Sequence, residues 1–127
     1  MKLRIRGNSI RLRLTRSDIA QFAATGSVEE RVDFGLAKPA LSYRLERTAD
    51  GDTARANFED QCVSISIPAA DAEKWIRSEQ VGIEATQPIG ENKVLRILVE
   101  KDFTCLAARV NEDDSDAFTN PVAKNTP

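Results

Sequence analysis

The sequence predicts an α+β fold of about eight mostly antiparallel strands and two short helices. Apolar and polar residues alternate along most of the chain, two segments replace that alternation with helical spacing, and turn-forming residues separate the runs. The 127 residues, 41% of them hydrophobic, suffice for one domain with its own core. We expect this single domain to span residues 1–110, and residues 111–127 to form an acidic, loosely ordered tail.

The first half predicts two strands, a helix and two more strands. Residues 2–6 and 9–14 alternate in polarity, and Gly7-Asn8 between them suits a two-residue hairpin turn. The next segment predicts a helix that ends near Gly26. Thr15 and Asp18 have capping-box spacing at its start, and its apolar stripe contains Ile19, Phe22 and Ala23. The strands after the helix are predicted at 28–34 and 41–45.

The second half repeats this order. Its strands are predicted at 54–58, 62–67, 81–87 and 94–100, with a helix whose first residue is Pro68. A shift of 53 residues places Leu12 on Ile65, Phe22 on Trp75 and Val28 on Val81. The pattern therefore predicts two ββαββ repeats, at 1–53 and 54–106, with both helices on one face. Strands that flank a helix should be parallel if they share a sheet.

The opening hairpin concentrates positive charge in a chain whose net charge is −2. A two-residue turn places Arg4 opposite Arg11 and Lys2 opposite Arg13, with the aliphatic residues on the other face. Like charges directly opposite each other destabilise a strand pair, so the cluster needs an explanation. The candidate anion-binding residues are Lys2, Arg4, Arg6, Arg11 and Arg13.

Three interpretations of these cations remain open. Acidic residues on neighbouring strands could neutralise them, the candidates being Glu29, Asp33, Glu46, Glu59 and Glu84. The arginines could instead bind phosphate, a nucleotide or a nucleic-acid backbone. In the third interpretation, the acidic residues 112–116 fold back onto the hairpin. Nucleic acid is the less favoured ligand, because few aromatic residues alternate with the cations.

Several chemistries lack their usual residues. The chain has no histidine, which removes the common general base and metal ligand, and Cys62 and Cys105 do not form a metal-binding or redox motif. Cys105 beside Lys101 could act as a nucleophile, but no evident base completes that site. We expect no metal and no cofactor, and the pattern favours a non-enzyme without deciding the question.

No membrane-spanning run is present, and a cytoplasmic location is expected.

Three segments resemble a known family: MKLRIRGNSIRLRLTRSD at 1–18, VEKDFTCL at 99–106 and DAFTNP at 116–121. They are similar to a family of small bacterial proteins classified as a domain of unknown function, and the resemblance runs the length of the chain. It implies a short, stand-alone bacterial protein. It carries over no catalytic or binding residues.

The sequence thus predicts a non-enzymatic binding or protein-interaction module with an unidentified protein partner and an undetermined oligomeric state. The alternative is a protein that binds phosphate or a nucleotide, or an enzyme for phosphate-bearing substrates, with the opening hairpin as its site. A deep cleft lined by the cations would favour the alternative. A flat face of interleaved glutamate and arginine would favour the interaction module.

Overall fold

The computed structural model describes residues 1–103, which form an α+β fold of eight strands and two helices. The predicted fold class is confirmed. The first half contains β1 (Lys2–Arg6), β2 (Ser9–Leu14), α1 (Arg16–Thr25), β3 (Ser27–Val32) and β4 (Leu41–Thr48). The second half contains β5 (Arg55–Glu59), β6 (Cys62–Pro68), α2 (Ala69–Arg77), β7 (Gly82–Gly90) and β8 (Lys93–Lys101). Cys105 and the predicted tail lie outside the described residues.

The strands form two four-stranded sheets, each built from both halves of the chain. Sheet A has the order β1-β2-β8-β7, and sheet B has the order β3-β4-β6-β5. The pairs β2–β8 and β4–β6 are parallel, and the other neighbours are antiparallel. The strands that flank each helix lie in different sheets, so each helix connects the two sheets. The condition for parallel pairing across a helix, that both flanking strands share a sheet, is therefore not met, and the parallel pairs join different halves.

The opening hairpin has the predicted register. Arg4 pairs with Arg11, Lys2 pairs with Arg13, and Gly7 adopts a φ of +55° in the turn. The Asn8 side-chain amide donates to the Val94 carbonyl at 2.7 Å. This bond attaches the turn to β8.

Helix α1 begins and ends as predicted, whereas α2 begins differently. Thr15 and Asp18 form a complete capping box, and Gly26 ends α1 with a φ of 85°. Pro68 is not the first residue of α2 but its N-cap, because its ψ of 141° continues the extended backbone of β6. It supplies no side-chain hydrogen bond to the helix. α2 is therefore held mainly by the burial of its apolar side.

The two helices contact each other inside one hydrophobic core. Phe22 of α1 and Trp75 of α2 are fully buried, and their rings meet edge to face with centroids 6.3 Å apart. Both sheets contribute to this core, with Leu12 and Val99 from sheet A and Ile65 from sheet B. The helices thus lie at one end of two sheets, and not on one face of a single sheet as the sequence pattern suggested.

The two halves share one strand order and one pattern of pairing, but the offset of 53 residues does not extend along the whole chain. It relates β1, β2 and α1 to β5, β6 and α2. After the helices it changes: Val81 is 54% exposed and precedes β7. Ile83 is buried opposite Val99, as Val28 is opposite Leu45. The predicted equivalence of Val28 and Val81 is wrong because four residues separate α2 from β7, whereas one residue separates α1 from β3. Duplication itself stays a prediction.

A polar cluster connects the start of β1 to sheet B and to α1. The Met1 amine lies 2.8 Å from Asp18 Oδ2 and 3.4 Å from Glu30 Oε2. The Tyr43 hydroxyl donates to Glu30 at 2.9 Å and lies 3.2 Å from the Met1 carbonyl. Burial alone would raise the pKa of Asp18, but hydrogen bonds from the amine and Thr15 outweigh it and lower that pKa. The sequence pattern did not indicate this cluster.

We expect Asp18→Asn to lower the free energy of unfolding by about 1 kcal/mol at pH 7. Because folding lowers the pKa of Asp18, its stabilising effect is complete above about pH 4 and disappears as the pH falls further. The difference between wild type and variant should therefore shrink between pH 7 and pH 2.5 in urea titrations. Asp71→Asn, at the corresponding position of α2, is the matched control with an effect of a few tenths of a kcal/mol. A difference for Asp18→Asn that is independent of pH would contradict this prediction.

Candidate functional site

The predicted cations lie together on the outer side of sheet A. Strand alternation points Leu3 and Leu12 into the core and places the charged residues on the opposite side. β8 adds Arg96, which pairs with Ser9 and shares its side of the sheet. We call this surface the basic face, and its cations are Lys2, Arg4, Arg6, Arg11, Arg13 and Arg96.

Strand pairing arranges the basic face in three rows that run across the sheet. The first row is Lys2, Arg13 and Glu100; the second is Arg4, Arg11, Leu98 and Glu84; the third, nearest the β1–β2 turn, is Arg6, Ser9, Arg96 and Thr86. The first two rows contain a carboxylate at a strand position, and the third contains none.

Carboxylates of β8 and the residue after it neutralise the first row. Glu100 Oε1 lies 2.6 Å from Arg13 Nε and 3.6 Å from Arg11 Nε, and all three side chains are half-buried. Asp102 Oδ2 lies 3.3 Å from Lys2 Nζ. The like-charge opposition of Lys2 and Arg13 is thus relieved by the strand that pairs beside β2.

Most of the carboxylates predicted to neutralise the hairpin belong to the other sheet. Arg44 of sheet B lies 3.3 Å from Glu29 and 3.4 Å from Glu46. Asp33 pairs with Arg31 at 3.0 Å, just after β3. Glu59 is on β5 of sheet B, and Glu84 alone of the five candidates lies on the basic face. The carboxylates that pair with the hairpin are Glu100 and Asp102. Four of the five predicted residues lie on or beside sheet B instead, because the hairpin pairs with β8.

Positive charge is least compensated at the third row. Arg6 and Arg96 are exposed, and neither makes an ion pair with any residue in 1–103. The cations lie on the side of sheet A that faces away from the core. This face can present several guanidinium groups to a ligand that lies along it.

The alternative nucleophile, Cys105, lies outside the described residues, which include its predicted neighbour Lys101. Lys101 Nζ donates to the Ser78 carbonyl at 2.8 Å, which attaches β8 to the end of α2. Cys62 lies on the outer side of sheet B, where burial raises the pKa of its thiol. Within residues 1–103, no group of three or more metal-ligating side chains is present. The same range contains no helix that could cross a bilayer.

Arg96 and Glu100 are the residues of this surface that the sequence pattern did not assign to it. Their strand was predicted at 94–100 from its alternation. The pattern did not predict that β8 pairs with β2. These two strands lie near opposite ends of the described residues. No local signal could have brought them together.

Comparison with known proteins places the chain in a family. A family model described as "Family of unknown function (DUF7009)" matches residues 1–122. The chain belongs to the DUF7009 family. This confirms the resemblance of the chain to a family of unknown function, and the match includes both sheets of this DUF7009 protein. No curated protein and no solved structure matches the chain.

Proposed function

We propose that this DUF7009 protein is a non-enzymatic binding module that holds an acidic, extended segment of a partner protein on its basic face. The observation that carries the proposal is the arrangement of cations in rows on the open side of sheet A, with Arg6 and Arg96 unaccompanied by a carboxylate in their row. A binding protein needs such a surface to be accessible, and Arg6 and Arg96 are exposed.

The spacing of the rows suits an extended acidic chain. Successive rows are two residues apart along β1 and β2, which corresponds to about 6.6 Å. In an extended peptide, side chains on one side also repeat about every 6.6 Å. Glutamates at alternate positions could therefore each meet one row, with guanidinium groups donating paired hydrogen bonds to the carboxylates. A small phosphate would occupy one row only.

The proposal is tested by fluorescence anisotropy with a labelled peptide of alternating glutamate and alanine at fixed ionic strength. We expect Arg6→Gln/Arg96→Gln to weaken binding about tenfold, because two exposed charge pairs are lost. Arg31→Gln/Arg55→Gln removes two exposed cations from sheet B and serves as the matched control with unchanged affinity. Both double variants change the net charge equally, so a general charge effect would weaken both.

The same variants distinguish the proposed binding of an acidic peptide from the alternative, binding of a phosphate-bearing ligand. Thermal unfolding is followed with added phosphate, polyphosphate, a nucleotide or a short oligonucleotide at that ionic strength. We expect no ligand-specific rise in the melting temperature. A rise with one of these ligands that disappears in Arg6→Gln/Arg96→Gln, together with no peptide binding, would replace the proposal with a phosphate site.

A further inference from the structure

The four hairpin turns lie at one end of the molecule. Both helices follow the C-terminal ends of β2 and β6, so those ends share one side of the fold. The parallel strands β8 and β4 run in the same directions as β2 and β6, which brings all four strand-to-strand connections to the opposite side. We call that side the turn end; it comprises residues 4–9, 31–41, 57–62 and 88–96.

The turn end exposes large hydrophobic side chains. Of the large hydrophobic residues that are exposed within 1–103, seven lie there and two, Val81 and Phe103, lie elsewhere. Leu36 is 99% exposed and Phe58 is 66% exposed. The other five are Ile5, Val32, Phe34, Ile89 and Val94. Isolated exposed hydrophobic residues are ordinary, but a cluster of this size marks a contact surface.

Several of these residues continue the core side of the two sheets. Ile5 and Phe58 occupy the same side of their strands as Leu3 and Ala56, which pack against the core. The helices cover that side at the far end of the sheets only. At the turn end the apolar surface between the sheets therefore opens to solvent.

We propose that the turn end binds a second copy of this chain, so that the protein forms an isologous dimer. The charges around the apolar residues have both signs: Lys38 and Lys93 are cationic, and Asp60 and Glu91 are anionic. A copy of the same surface supplies both signs in return. A strongly acidic or basic partner would leave half of these charges without counterparts.

The exposed area suits a dimer of this kind. With about 150–200 Å² for each large side chain when fully accessible, the exposed fractions amount to roughly 700 Å² for each copy. Stable complexes bury about 800 Å² for each partner, with an apolar centre and a polar rim. The third row of the acidic-peptide surface borders the turn end. The peptide test changes Arg6 and Arg96, and the dimer test changes Phe34 and Leu36, so either proposal can fail without the other.

The test is sedimentation velocity of the full chain between about 1 and 100 μM. We expect wild type to sediment as a dimer and Phe34→Asp/Leu36→Asp to raise the dissociation constant at least tenfold, because a charge would replace each apolar contact. Both positions are exposed in the β3–β4 connection, so the fold should not change, and circular dichroism checks this. Val81→Asp introduces a charge at an exposed hydrophobic position away from the turn end and is the matched control.

Two results would overturn the dimer. One is wild type that remains monomeric over this range; protection of its turn-end amides from hydrogen exchange would then show that the surface is covered within a single chain. The other is a dimer that survives Phe34→Asp/Leu36→Asp unchanged.

Discussion

Trp75→Ala is expected to lower the free energy of unfolding by about 3–5 kcal/mol, because it removes the largest fully buried side chain within residues 1–103. Trp75 contacts the ring of Phe22 across the two helices. Its indole N–H also donates to the Val81 carbonyl at 3.2 Å, just before β7. The alanine variant would leave a cavity where both helices and both sheets meet. Chemical denaturation followed by circular dichroism measures the change.

Trp75→Phe separates the two roles of this side chain and keeps the protein measurable if the alanine variant does not fold. It retains an aromatic ring beside Phe22 and removes the hydrogen bond to Val81, so we expect a loss of about 1–2 kcal/mol. Val81→Ala shortens a side chain that is 54% exposed and should stay within about 0.5 kcal/mol of wild type. A Trp75→Ala variant as stable as Val81→Ala would show that the helices do not share one core.

Gln87→Leu is expected to lower the free energy of unfolding by about 2–3 kcal/mol. Gln87 of β7 bonds the backbone of Ala56 in β5: its Oε1 accepts from the Ala56 N–H at 2.7 Å, and its Nε2 donates to the Ala56 carbonyl at 3.1 Å. One side-chain amide thus bridges the edges of the two sheets. Leucine has a similar volume but leaves both half-buried backbone groups without these partners.

Thr86→Val is the matched control for Gln87→Leu. Thr86 is exposed on the other side of β7, and valine suits a strand, so the change should be within about 0.5 kcal/mol. Gln87→Glu retains an acceptor for the Ala56 N–H and loses the donor for its carbonyl at neutral pH, which predicts an intermediate loss. Equal stability of Gln87→Leu and Thr86→Val in denaturant titrations would contradict the bridging role.

Local features of this fold were predictable from the sequence. The spacing of Thr15 and Asp18 predicted the capping box, and Gly26 predicted the end of α1, because both interactions close within a few residues. The register of the opening hairpin followed from the length of its turn. Each of these predictions depends on residues that are near one another in the chain.

The arrangement of the sheets depends on contacts that periodicity does not encode. Alternation predicts the two sides of each strand but not which strand pairs beside it. Glu100, which neutralises Arg13, therefore could not be identified from the hairpin sequence. The place of the exposed Arg96 on the basic face was unpredictable for the same reason, because it follows from the pairing of β8 with β2. The 53-residue offset of the helices likewise gave no information on the turn after α2, which moves the buried position from Val81 to Ile83.

Each half of the chain contributes one hairpin to each sheet, and this arrangement has a consequence for the folding rate. Residues 1–53 contribute one hairpin to sheet A and another to sheet B, and neither hairpin can cover its apolar side without strands from the second half. The pairing of Leu12 with Val99 in the centre of sheet A closes a loop that contains most of the described residues. Formation of both sheets must await contacts between distant segments, which slows folding compared with a fold of local hairpins. On a ribosome, sheet A would be completed only after β8 emerges, so the two halves fold together as one cooperative unit.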